Sequence, residues 1–81
     1  MKLPRDLDGE KLAKCLERVG FTRVHQTGSH IICRLVTPEF SHTEPIPRHS
    51  PLKIGTLASI LRRIAAALKI DRDELLRRLG L

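Results

Sequence analysis

An 81-residue chain holds one domain, because surface-to-volume scaling leaves so short a polypeptide a core only just large enough to offset its conformational entropy. Hydrophobic residues make up 41% of it and charged residues 30%, a balance that belongs to a folded domain and excludes a disordered tail. Fifteen Lys and Arg against nine Asp and Glu leave a net charge of +6, which favours a polyanionic partner, usually nucleic acid and less often an acidic protein or an anionic membrane; the bland alternative is a solvated surface. Lys2, Arg5 and Asp6 interrupt the N-terminus before an apolar targeting segment could form, and no long apolar run follows, so a cytosolic protein without a membrane partner is expected. Cys15 and Cys33 occupy apolar-periodic positions with no Cys-x-x-Cys or His-x-x-x-His spacing beside them. They read as two buried thiols in a reducing compartment, and no metal or other cofactor is expected.

Asp8 before Gly9-Glu10-Lys11 marks a helix start, with Leu7 placed to pack on Leu12 as a hydrophobic staple. Leu12, Cys15, Leu16 and Val19 then recur at the helical period, and Gly20 supplies a left-handed stop. From Phe21 to Gln26 the residues turn strand-like; a Thr27-Gly28 turn and a second β-branched run from Ser29 to Val36 predict a hairpin. In that second strand Ile31, Cys33 and Leu35 face the core, and His30, Ile32 and Arg34 face the other way. Thr37 to His42 reads as a polar loop. A short strand from Thr43 to Pro47 follows, confined by Pro45 and Pro47 to a sheet edge. After Pro51, Leu57, Ile60, Leu61, Ile64 and Leu68 trace a long amphipathic helix with Ser59, Arg62, Arg63 and Lys69 left mostly outside. Asp71 with Glu74 forms a fresh cap, and a last short helix carries Leu75, Leu76 and Leu79 up to Gly80. The expected class is α+β: helix, three-stranded antiparallel sheet, helix and short C-terminal helix in one domain over residues 1–81, with the helices on one face.

A two-residue Thr27-Gly28 loop would pair Gln26 with Ser29 and set His25 directly opposite His30 on the open face. Two exposed imidazoles on a basic sheet can share acid and base roles near neutral pH, although ordinary surface histidines have the same spacing. The same register turns Phe21 outward, which assigns Phe21 to the connection from the first helix. RNA offers such a histidine a reaction that needs no metal, since its own 2′-hydroxyl attacks the adjacent phosphate once a base removes the proton. At the turn, Gly28 lets a phosphate approach the backbone and Ser29 offers it a hydroxyl; a plain tight turn followed by a polar strand start reads the same way. Arg48, His49 and Lys53 lie just before the N-terminus of the long helix, where cations and free backbone N–H groups attract phosphate or make a solvated loop. Arg62, Arg63, Arg77 and Arg78 read as solvated helix faces.

Gly20-Phe21, Gly28-Ser29-His30, Ile46-Pro47-Arg48-His49 and Gly55-Thr56-Leu57 with Ile60-Leu61 occur in an order and spacing that resembles the HicA family of mRNA interferase toxins across nearly the whole chain. The resemblance implies a fold like that of double-stranded RNA-binding domains, metal-independent cleavage of mRNA by the histidine matched by His30, and neutralisation by a HicB antitoxin. It assigns no catalytic role to His49. Where family members usually break the long helix with a glycine, this chain continues through Ile64-Ala65-Ala66-Ala67-Leu68, about one added turn. Leu57 to Leu76 also has a local likeness to the closing helices of a helix-turn-helix repressor, but the proline-broken middle cannot supply the upstream helices. The catalytic residue expected is His30, with His25 as a second acid or base and Gly28, Ser29, Arg48, His49 and Lys53 on the RNA. The alternatives are a non-catalytic RNA-binding module of the same fold and a small basic protein that binds an acidic partner.

Overall fold

The computed structural model describes residues 2–81. Helix α1, Gly9–Leu16, starts where expected: the Asp8 carboxylate accepts a hydrogen bond of 2.7 Å from the Lys11 N–H and so satisfies an otherwise orphaned donor. Leu12, Ala13 and Leu16 turn inward. A 3-10 turn, Glu17–Val19, prolongs the helix to Gly20, which stops it in the left-handed region at φ 102°. Gly9 itself is buried, because the first turn lies against the chain that leaves the sheet; a Cβ there would collide with the Pro47 carbonyl. Its N–H donates to the His49 carbonyl at 3.0 Å, and the Leu52 N–H donates to Leu7 at 2.8 Å.

The sheet is antiparallel in the order β1 (Thr22–Gln26), β2 (His30–Val36), β3 (Ser41–Pro47), so the two-proline strand is an edge as expected. On β2, Ile31, Cys33 and Leu35 are buried under the helices, whereas His30, Arg34 and Val36 are exposed. The third strand begins at Ser41, two residues before its expected start. A threonine explains the shorter loop. Thr37 Oγ1 accepts from the N–H groups of Glu39 and Phe40, while the Thr37 N–H donates to the Phe40 carbonyl at 2.8 Å, closing the turn around Pro38 and Glu39.

The first hairpin uses the same device, and the expected register is corrected by it. Gly28 and Ser29, not Thr27 and Gly28, form the loop: the Thr27 N–H donates to the His30 carbonyl at 2.9 Å, and Thr27 Oγ1 accepts from the His30 N–H at 2.9 Å. His25 therefore pairs with Ile32, and Gln26 with Ile31. The register then slips between Arg23 and His25, leaving Val24 as an unpaired bulge, so that Arg23 pairs with Cys33 and Thr22 with Arg34. One extra residue reverses side-chain parity. His25 stays on the open face while Phe21 turns in, where it is 2% exposed and meets the His42 ring edge-on at 6.1 Å.

Helix α2, Ile54–Leu68, buries Leu57, Ile60, Leu61 and Ile64, and α3, Arg72–Leu79, buries Leu75, Leu76 and Leu79 behind the Asp71 cap. The domain is thus α+β, an open three-stranded sheet with three helices. Each fully buried leucine or isoleucine contributes about 1.5–3 kcal/mol, enough for a few lost contacts to unfold so small a core. α2 ends in the left-handed region at Lys69, φ 58°, where a Cβ is strained. Arg77 and Arg78 lie on the surface beside Glu74, at 2.9 and 3.0 Å. Arg63 is exposed as expected, and its guanidinium also reaches a buried carboxylate. Glu44, on the helix-facing side of β3 and 1% exposed, receives Arg63 Nη2 at 2.7 Å and Arg63 Nε at 3.1 Å, with His42 Nε2 at 3.0 Å on its other oxygen. That hydrogen bond to Glu44 raises the pKa of the arginine.

Two stability measurements follow from these contacts. Arg63→Met leaves Glu44 buried with only His42 and is expected to lower the unfolding free energy by about 2–3 kcal/mol in urea, against about 0.5 kcal/mol or less for Arg62→Met. Lys69→Gly relieves the left-handed cap and is expected to raise stability by about 0.5–1 kcal/mol; an unchanged or lower midpoint contradicts the strain assigned there.

Candidate active site

Helix packing covers one face of the sheet and leaves the other to solvent, and strand alternation places His25 and His30 on the second. His30 opens β2 at the tip of the first hairpin, between Thr27 on one side and its registered partner Pro47 on the other. Ser29 Oγ lies 2.9 Å from His30 Nδ1, within hydrogen-bond distance. The direction of that bond sets the tautomer. With Nδ1 protonated and donating to Ser29, Nε2 keeps its lone pair and the serine O–H stays free to donate elsewhere.

The tip is tied down on three sides. Thr27 Oγ1 gathers the N–H groups of Ser29, at 3.2 Å, and His30, and the Thr27 carbonyl accepts from Arg48 Nη1 at 3.4 Å. The Arg48 N–H donates to the Ser29 carbonyl at 2.9 Å. Arg48 Nε in turn lies 3.4 Å from Glu10 Oε1, and Arg23 Nη1 lies 2.9 Å from Glu10 Oε2. Glu10 therefore joins the first turn of α1 to β1 and to the segment after β3.

The structure brings Gly28, Ser29, His30 and Arg48 together, with His49 next in the chain and held through its carbonyl by Gly9. Lys53 stands exposed at the start of α2, whose first turn carries no acidic side chain, so the helix end keeps its positive character. His25 shares the open face with His30 but sits two pairs further along the ladder, opposite Ile32 and not opposite His30. Diagonal neighbours across a ladder lie roughly 7–8 Å apart, and the bond made by the His30 ring goes to Ser29 and not to His25. Sequence reasoning missed Thr27, Glu10 and Arg23. Thr27 carried a signal, because both hairpin loops open on a threonine, Thr27 and Thr37. Glu10 and Arg23 carried none, since their pairing crosses from helix to sheet.

Elsewhere Cys15 and Cys33 are free thiols, and burial pushes the Cys33 thiol above its ordinary pKa. Among the described residues no group of three or more His, Cys, Asp or Glu side chains converges as a metal site, and no helix is long and apolar enough to cross a membrane.

The protein is thus a small basic α+β domain with a histidine-bearing hairpin on the open face of its sheet. A family model described as the HicA toxin of bacterial toxin-antitoxin matches residues 9–65, from the first turn of α1 to Ala65 in α2. That stretch is well over half of the chain, and the protein belongs to the HicA toxin family. As a member it is the toxin of a toxin-antitoxin pair, and the family implies an antitoxin partner. No curated protein and no solved structure matches the chain. The last turn of α2 and all of α3 lie beyond the matched residues.

Gly28 separates architecture from substrate approach. A Cβ there meets nothing within 4 Å and its backbone lies outside the left-handed region, so Gly28→Ala is expected to leave the thermal midpoint within a degree or two. A fall of several degrees would mean that the glycine serves the turn itself.

Proposed function

We propose that this toxin is a metal-independent endoribonuclease that cleaves mRNA through His30 and is silenced by a HicB-type antitoxin. The observation that carries the reading is the Ser29–His30 pair, 2.9 Å apart on the open sheet face of a HicA family member with net charge +6. With its Nδ1 proton donated to Ser29 Oγ, His30 uses Nε2 to take the proton of an RNA 2′-hydroxyl. The 2′-oxygen then bonds to the adjacent phosphorus, the bond to the 5′-oxygen breaks, and that oxygen takes up a proton. The products are a 2′,3′-cyclic phosphate and a free 5′-hydroxyl. DNA, which lacks the 2′-hydroxyl, is spared. The nucleophile belongs to the substrate, so the protein supplies proton transfer and positioning.

Gly28 lets the phosphate come close to the backbone, and the Ser29 O–H donates to a phosphate oxygen while its oxygen accepts from His30. Arg48, His49 and Lys53, ahead of the uncapped N-terminus of α2, hold the neighbouring phosphates, with Glu10 attenuating the contribution of Arg48. His25, diagonal to His30, protonates the leaving oxygen through an intervening water. The expected compartment is the cytosol, where the mRNA is.

Purified protein and His30→Ala, incubated with RNA in the presence and absence of a chelator, test the reading. Wild type is expected to cleave in both conditions and His30→Ala roughly 10²–10⁴-fold more slowly. Equal decay with both proteins would end the assignment of His30. Salt-dependent binding without decay by either would favour a non-catalytic RNA-binding module.

A further inference from the structure

We infer that Glu10 is a positioning residue for His30, acting through Arg48, and that it trades RNA affinity for turnover. The inference rests on the ribonuclease reading above and deepens it. In a basic nuclease a carboxylate between two arginines beside the site opposes substrate binding, since it attracts to itself the charges that would hold phosphate. Glu10 does this to both Arg23 and Arg48, at 2.9 and 3.4 Å. Arg23 Nη2 also lies 3.4 Å from the Glu10 carbonyl, so the contact involves backbone as well as side chain.

What the carboxylate provides in return is visible at the other end of Arg48. The guanidinium, oriented at Nε by Glu10, reaches with Nη1 to the Thr27 carbonyl at 3.4 Å, while the backbone N–H of the same residue holds the Ser29 carbonyl at 2.9 Å. Thr27 and Ser29 are the residues that hold His30. Thr27 accepts from its N–H through Oγ1, and Ser29 lies against its Nδ1. The threonine hydroxyl accepts the His30 N–H, and the Thr27 carbonyl accepts from Arg48. A chain of contacts thus runs from α1 through Glu10 and Arg48 to Thr27, which holds the His30 backbone, and to Ser29, which lies against its ring.

The base of α1 is suited to anchor that chain. Gly9 is packed on the Pro47 carbonyl and bonded to the His49 carbonyl, so the turn carrying Glu10 and the segment carrying Arg48 are held against each other by backbone. The partners of the Glu10 carboxylate are Arg23 and Arg48 and not His30, so its effect on the imidazole passes through Arg48. Removing its charge alone releases both arginines to the substrate and slackens the hairpin tip. Binding and turnover therefore move in opposite directions, which loss of structure does not produce.

Glu10→Gln, with Glu17→Gln as a charge-matched control elsewhere on the same helical segment and Arg48→Lys as a second variant, tests this. The measurements are kcat and KM for RNA cleavage, RNA affinity with His30→Ala in the background, and the ring nitrogen shifts of His30 by NMR. Glu10→Gln is expected to bind RNA at least as tightly as wild type, to lose roughly tenfold in kcat, and to shift the His30 ring signals. Arg48→Lys, which cannot bridge Glu10 and Thr27 with a single ammonium, is expected to lose kcat similarly without the gain in affinity. Glu17→Gln is expected to keep the wild-type kcat. If Glu10→Gln matches Glu17→Gln in kcat and leaves the His30 signals unmoved, Glu10 is no positioning residue. Should wild type fail to cleave RNA, the ribonuclease reading falls, and the His30 signals alone decide whether Glu10 orients the ring.

Discussion

The close approach of Gly9 to the Pro47 carbonyl is the contact on which the working end of this molecule depends. Nothing larger than a hydrogen fits on that α-carbon, so the first turn of α1 lies directly on the chain leaving β3, with the Gly9 N–H bonded to His49. Two consequences come with it. Leu12, Ala13 and Leu16 are delivered to the sheet's buried face, and Glu10 is placed within reach of Arg23 and Arg48. The same turn therefore serves the hydrophobic core on one side and the hairpin tip on the other.

One-sided burial sets the rest. In a three-stranded sheet with helices on a single face, alternation on β2 sends Ile31, Cys33 and Leu35 inward and leaves His30 and Arg34 exposed. His30 stands in the open because its neighbour Ile31 is needed in the core. The bulge at Val24 reconciles two demands on β1, since a regular strand could not turn Phe21 into the core while keeping His25 on the open face. On the inner face Glu44 breaks the apolar pattern, and the fold accommodates it by bringing Arg63 of α2 and His42 of its own strand onto its two oxygens. The buried charge then links the sheet edge to α2 in one geometry.

The matched family residues stop at Ala65, and the structure beyond them is regular all the same. α2 continues unbroken to Leu68 and turns at Lys69 without a glycine, and α3 returns with Leu75, Leu76 and Leu79 under cover. Within α2 the buried residues Leu57, Ile60, Leu61, Ile64 and Ala65 follow the helical period and form one apolar face.

Much of this was legible in the residues. The Asp8 and Asp71 caps, the glycine stops at Gly20 and Gly80, the alternation of β2 and the periodic leucines and isoleucines of α2 are local signals, each decided by a few neighbouring side chains and the backbone they hold. The ordered marks around Gly28-Ser29-His30 and Ile46-Pro47-Arg48-His49 carried the resemblance to the HicA family, to which the chain belongs. Hairpin register was not legible, because Thr27 competes for the backbone hydrogen bonds that define the loop and Val24 adds a residue that no pattern marks. Nor were the partners of Glu10 and Glu44. A charged side chain in a sequence states only that it needs a counter-charge or water; which one it meets depends on segments that packing brings together, and for Glu10 and Glu44 those segments meet only in the tertiary structure.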